Sequence, residues 1–353
     1  MNDRPRPGPA PQLLTLRGAF TLESGDVLPA LTIAFHTWGR ISPDGDNAVV
    51  VCHALTGHSD VTQWWPSLIG PGRALDPEHD FVVCANVLGG CSGTTGPGSP
   101  GPGGRLWARR FPRLTVRDMV RAQQRLLDAL GVTRVRLALG GSLGGMQALE
   151  WALLDARVEA AAVIAAPARH DAWAIAWSDA QRRVLAAVPA DDEFGARAGL
   201  AAARAIAMLS YRHPHALARR FGREAGEHRE FAIQDWLGMH GDKLAARFDR
   251  DSYLALLGAM DAHDVGHARG GAERALRALE KPVLVVPIES DLLYPPAEVE
   301  PLAEWLPRGE LARLDSPHGH DSFLVDQREV GALVAAFRRR LDAPLRAAGG
   351  GAS

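Results

Sequence analysis

The segment Gly140-Gly-Ser142-Leu-Gly144 matches the pattern G-x-S-x-G, in which a serine sits at the tip of a sharp turn between a strand and a helix. A serine hydroxyl is a poor nucleophile alone. It needs a base to take its proton and an acid to orient that base. Downstream the chain offers Asp291, just past an apolar run, and His320, in Ser316-Pro-His-Gly-His-Asp321. The order is therefore Ser, Asp, His. Each residue alone has an ordinary explanation: a Gly-rich turn, a turn-forming Asp, a solvated loop His among 13 histidines. The joint arrangement is harder to reach by chance. Position alone leaves His318 open as a rival to His320, and Asp315 and Asp321 as rivals to Asp291. Charge developing on a substrate oxygen would need two backbone amides. The candidates are Leu143, after the serine, and Leu55, in the turn after Ala48-Val-Val-Val-Cys52.

These residues need a scaffold that brings loops to one edge. Val135, Leu137, Ala138 and Leu139 read as a buried strand before the serine, and Ala148, Leu149, Trp151 and Ala152 as a helix after it. Ala30–Trp38, Ala48–Cys52, Phe81–Cys84, Val158–Ala166, Lys281–Pro287 and Glu310–Leu314 read as further strands. Leu114–Leu130 (with Thr115 as cap), Ala272–Leu279, Glu300–Leu306 and Val330–Leu341 read as helices. Strands alternating with helices predict a mostly parallel sheet covered on both faces. Between His170 and about Asp261 no strand is predicted. Ala, Arg and Leu recur there in helical patterns, broken at Pro189, Pro214 and Gly238. Trp173, Trp177, Met208, Tyr211, Trp236 and Met239 in this stretch either cover a cavity or form its own core. Met1–Pro11 reads as a disordered lead-in and the tail from Ala343 as loose.

Composition sets bounds. The chain has 353 residues, 46% hydrophobic and 23% charged, with a formal net charge of -2. That is ordinary for a globular protein with a large core. No charge imbalance points to nucleic acid or an anionic membrane. Cys52, Cys84 and Cys91 form no C-x-x-C and cannot all pair, so a reducing cytoplasm is the expected compartment. No signal peptide or run of about 20 apolar residues is predicted.

Taken together, the motifs resemble homoserine O-acetyltransferases of the α/β-hydrolase superfamily. They are His53-Ala-Leu-Thr-Gly57, Trp64-Trp65, Leu68-Ile-Gly-Pro-Gly72, Asn86-Val-Leu-Gly-Gly-Cys91, Gly93-Thr-Thr-Gly-Pro97, Phe111-Pro, Thr115-Val-Arg-Asp-Met-Val120, Gly140–Trp151, Arg247-Phe-Asp, Ser252-Tyr-Leu254 and Gly319-His-Asp-Ser-Phe-Leu324. The resemblance runs from about Phe20 to Phe337. It implies an α/β-hydrolase fold: residues 1–168 as the first part of the core, 169–262 as a helical lid insertion, and 263–353 as the second part. It implies Ser142 as nucleophile, Asp291 as triad acid and His320 as base. It further implies Arg212 as the group binding the substrate carboxylate and Asp321 as a contact of the amino-acid substrate.

The implied reaction moves an acetyl group from acetyl-CoA, a co-substrate rather than a resident cofactor, onto Ser142 and then onto the hydroxyl of L-homoserine. No metal, nucleic acid or membrane is expected, and a homodimer is. The sequence departs from the family at Ser92, where a basic residue is usual, in Val188–Gly195, and in Trp236-Leu-Gly-Met-His-Gly241. These stretches bear on donor and acceptor. A succinyl-CoA or L-serine relative, an ester or amide hydrolase on the same fold, and a catalytically inactive binding protein are the alternatives. Arg212 with Asp321 favours an amino-acid acceptor over the second, and the intact triad disfavours the third.

Overall fold

The AVVVC run forms the centre of the sheet because β-branched side chains buried on both faces leave it no other stable place. In this computed structural model, which describes residues 10–189 and 192–342, eight strands make one sheet. They are β1 Gln12–Thr21, β2 Val27–Trp38, β3 Ala48–Cys52, β4 Phe81–Ala85, β5 Val135–Gly141, β6 Ala161–Ile164, β7 Val283–Val286 and β8 Gly309–Leu311. The spatial order is β1-β2-β4-β3-β5-β6-β7-β8. β1 and β2 pair antiparallel, as do β2 and β4; every other pairing is parallel. All five β3 residues are buried. Val50 and Cys52 face one apolar core, Val49 and Val51 the other.

Helices cover both faces. α1 is Val61–Trp64, α2 Val116–Ala129 and α3 Leu143–Leu154. Thr115 caps α2 in a reciprocal capping box with Asp118. α3 follows Ser142 directly and is buried from Leu143 to Ala152, so it runs through the interior rather than over it. After β6 come five helices: α4 Ala172–Ala186, α5 Glu193–Tyr211, α6 Pro214–Phe221, α7 Ala232–Ala245 and α8 Arg250–Asp261. α9 Ala272–Arg277 precedes β7. α10 Pro296–Val299 and α11 Pro301–Trp305 precede β8, and α12 Ser322–Val325 and α13 Gln327–Asp342 close the described chain.

Several elements differ from the sequence expectation. β1 was not anticipated: as the antiparallel edge strand it leaves most side chains exposed, Leu13 among them, and its hydrogen bonds to β2 carry it. β6 is shorter than Val158–Ala166, with Val158 making only an isolated bridge to Val135. Gly238 does not break a helix but lies inside α7. The helix expected over Glu300–Leu306 is present as α11, and a further short helix, α10, precedes it; each has a proline in its first turn. Most of the Met1–Pro11 lead-in and all of the tail from Ala343 lie outside the described residues.

Candidate active site

Ser142 sits between β5 and α3 with φ 58° and ψ -126°, a left-handed backbone conformation that a non-glycine residue adopts only when its surroundings impose it. They do: the Ser142 amide donates to the Ile164 carbonyl at 3.0 Å, and the Ser142 carbonyl accepts from the Met146 amide at 3.0 Å. The turn is also pressed against the end of β3. A Cβ on Gly144 would lie 2.1 Å from the Cys52 carbonyl oxygen, and one on Gly140 2.5 Å from the same atom. Glycine at both positions lets the serine reach the edge of the sheet.

Asp291 and His320 arrive from the loops after β7 and β8. The Nδ1–H of His320 donates to Asp291 Oδ2 at 2.7 Å, and its Nε2 faces Ser142 Oγ at 2.8 Å. The carboxylate fixes the tautomer: Nδ1 carries the proton, leaving Nε2 to accept from the serine hydroxyl. The other carboxylate oxygen, Oδ1, accepts the amides of Leu293 at 2.8 Å and Tyr294 at 3.0 Å. Ser290 fastens the two loops together, donating to the Ser316 carbonyl and accepting the Gly319 amide at 2.8 Å. The His320 ring lies among Tyr294, Phe323 and Tyr211 at centroid distances of 5.1, 5.7 and 5.6 Å. Ser142, His320 and Asp291 are 5%, 2% and 2% exposed, so this chain of hydrogen bonds is shielded from water. His318 is placed otherwise: its amide donates to Ser316 Oγ, and it precedes the 3-10 turn Gly319–Asp321 without a side-chain capping bond. Asp315 is exposed.

Arg212 ends α5, and Asp321 stands where α12 begins. Asp321 makes no capping bond; its carboxylate accepts from Arg212 Nη2 at 3.1 Å. Gly319 permits the meeting. Its φ is 76°, and a Cβ there would lie 2.7 Å from the His213 amide nitrogen and 2.8 Å from the Tyr211 carbonyl oxygen. Arg212 Nε is buried without a hydrogen-bond partner, so one N–H of the guanidinium is unpaired. The surroundings are electropositive. His240 is pushed down to about 4, first by burial and then by Arg204 and Arg212, and is therefore neutral at pH 7.

The Leu55 turn is held by His53. Burial pushes His53 down to about 4. The neutral ring donates from Nδ1 to the Ala54 carbonyl at 2.8 Å and accepts the Val87 amide on Nε2 at 3.1 Å. Leu143 is the first residue of α3, so its amide has no partner within the helix. A cavity of about 10 Å³, barely the room one water needs, borders His53, Leu55, Val87 and Cys91. A groove of about 750 Å³ opens elsewhere, along Phe111–Arg117 and Leu254–Asp264, and none of Ser142, His320 and Asp291 lines it.

Sequence reasoning missed Ser290, Tyr294 and Gln147, and named Tyr211 only as a residue of the helical stretch, not as a neighbour of His320. Of the three missed, a signal existed for Gln147 alone, as an amide in an otherwise apolar, wholly buried stretch of α3. Trp173 and Met239 prove exposed, Met208 and Trp236 buried.

Comparison with known proteins places the chain in a family. A family model of the alpha/beta hydrolase fold matches residues 47–327. The chain is 46% identical to the homoserine O-acetyltransferase of Chlorobaculum tepidum over 91% of its own length and 92% of that protein's. Among solved structures it is similar to homoserine O-acetyltransferase from Staphylococcus aureus, with 28% identity, a TM-score of 0.78 and coverage of 95% of this chain and 96% of that one. It is also similar to the acetyl esterase MekB, with 25% identity, a TM-score of 0.83 and coverage of 94% and 97%.

Proposed function

We propose that this chain, which belongs to the homoserine O-acetyltransferase family within the α/β-hydrolase fold, transfers an acetyl group from acetyl-CoA to the side-chain hydroxyl of L-homoserine. Ser142 attacks the thioester carbonyl while His320 Nε2 takes its proton. Asp291 holds the imidazole and stabilises its charged form. The amides of Leu55 and Leu143 receive the oxyanion. The intermediate collapses, the thiolate of coenzyme A leaves with the proton from His320, and acetyl-serine remains. The homoserine hydroxyl then attacks, again giving its proton to His320. Collapse returns that proton to Ser142 and releases O-acetylhomoserine.

One observation supports this reading over a hydrolase on the same fold. The Arg212–Asp321 pair sits beside the base with an unused guanidinium N–H. An α-amino acid carries both charges needed to part it: its carboxylate replaces Asp321 on Arg212, and its ammonium pairs with Asp321. Water carries neither. Helices α4–α8, within residues 169–262, are the lid in this reading, keeping water from acetyl-serine. The exposed Phe194, Leu209 and Met239 offer apolar surface to a second copy, consistent with a homodimer. No described helix is long and apolar enough to cross a membrane. A cytoplasmic location is part of this reading and is supported by the three free cysteines.

The deciding experiment is coenzyme A release from acetyl-CoA or succinyl-CoA, each with no acceptor, with L-homoserine and with L-serine. Release that requires homoserine and prefers acetyl-CoA is expected. Release without any acceptor would make the chain a thioester hydrolase.

Arg212→Ala separates the half-reactions. Losing a charge-assisted fork costs on the order of 2–3 kcal/mol, so the KM for homoserine should rise roughly 10²-fold. Pre-steady-state acetyl-serine formation should stay within about threefold. Equal loss in both would make Arg212 a structural residue.

A further inference from the structure

The two amides assigned to the oxyanion come from separate pieces of chain, and their spacing must be fixed by something other than the substrate. Leu55 lies in the turn after β3, Leu143 at the start of α3. A single side chain joins them. Gln147 is completely buried, and its Nε2 donates both to the His53 carbonyl at 3.2 Å and to the Leu143 carbonyl at 3.1 Å. The orientation of that amide is itself imposed. Gln123 Nε2 donates to Gln147 Oε1 at 2.8 Å, and Gln123 Oε1 accepts from the Trp151 indole at 2.9 Å. Indole nitrogen only donates, so it fixes Gln123, which fixes Gln147 with its NH₂ toward both carbonyls. On the far side of the turn, His53 and the Gly57 amide both donate to the Ala54 carbonyl at 2.8 Å. That carbonyl shares its peptide unit with the Leu55 N–H, and a peptide whose oxygen accepts hydrogen bonds is a stronger donor at nitrogen.

We propose that Gln147, held by Gln123 and Trp151, is a positioning residue that sets the width of the oxyanion hole by tying the Leu55 turn to the first residue of α3. A buried polar network of this kind is costly unless every member is satisfied, and here the carbonyls, both glutamines and the indole are satisfied together. The inference rests on the proposed roles of Leu55 and Leu143.

The test uses the full chain and acetyl-CoA labelled with ¹³C at the acetyl carbonyl. Isotope-edited infrared spectra of acetyl-serine report how strongly the hole polarises that carbonyl. Gln147→Met keeps the volume and removes the donors. Gln123→Glu keeps the acceptor for Trp151 but repels Gln147 Oε1, turning the amide round. In both variants kcat should fall roughly 10–10²-fold, less than the 10²–10³ typical of deleting a donor outright. KM for donor and acceptor should stay within about threefold, and the acyl carbonyl band should move to higher frequency. A carbonyl band unmoved in either variant that still forms acetyl-serine overturns the inference and leaves the reaction standing. Absence of acetyl-serine in the unsubstituted protein would instead overturn the reaction itself, and the inference with it.

Discussion

Ser142→Ala should lower acyl transfer by about 10⁶, the scale on which removing the nucleophile of a serine triad acts. The structure explains why little else should change. The Ser142 side chain has one partner, His320 Nε2, and the backbone bonds that hold its φ of 58° run through its own N–H and C=O. An alanine keeps those bonds and faces the same backbone cost. The lost hydroxyl contact is worth on the order of 1 kcal/mol, so the melting temperature should move by a few degrees at most. Two readouts make the result specific. Intact-protein mass spectrometry after incubation with acetyl-CoA should show one added acetyl group on the unsubstituted chain and none on the variant. Coenzyme A release with homoserine should fall to near background. Turnover that survives the substitution would remove Ser142 from the mechanism and with it the covalent intermediate.

The parts of the molecule legible in the sequence are those whose physics is local. AVVVC announces a doubly buried strand through its own side chains, and Gly140-Gly-Ser-Leu-Gly144 announces a turn because only small neighbours fit against Cys52. β1 was harder to read: its alternation is confined to the half-buried Leu14 and Leu16 between exposed Thr15 and Arg17, a register shift interrupts it before Phe20, and its partner supplies its stability. Gly238 misled because the cost of a helical glycine, about 1 kcal/mol, is met inside a helix packed against α5. At the site, position alone left His318 beside His320. The two bonds that Nδ1 and Nε2 of His320 make separate them, and such bonds depend on loops distant in sequence. Arg212 and Asp321 were each expected near the substrate through resemblance. Their pairing with one another required Gly319 to dock against the end of α5, which no run of residues announces.

Asp291→Asn should lower kcat by roughly 10⁴ while leaving both KM values within a few-fold, because the substitution reverses a proton rather than removing a contact. Asp291 Oδ1 accepts two amides, from Leu293 and Tyr294, and Oδ2 accepts the His320 Nδ1–H. An asparagine has one acceptor oxygen and one NH₂ group. Two amide N–H groups facing Oδ1 demand the oxygen there, since a turned amide would set donors against donors. The NH₂ then faces His320 Nδ1. Imidazole answers by moving its proton to Nε2, where it points at Ser142 Oγ. A nitrogen that already carries a proton cannot take the serine's, so the nucleophile is idle even though every heavy atom has kept its place. Acetyl-serine formation and transfer to homoserine should slow together, since both steps need the same base, and the thermal transition should stay close to that of the unsubstituted chain. Retention of more than a tenth of the activity would assign the acid's role elsewhere. The other acids considered are poorly placed for it: Asp315 is exposed, and Asp321 is held by Arg212. A loss confined to the second half-reaction would mean that Asp291 serves the acceptor rather than the base.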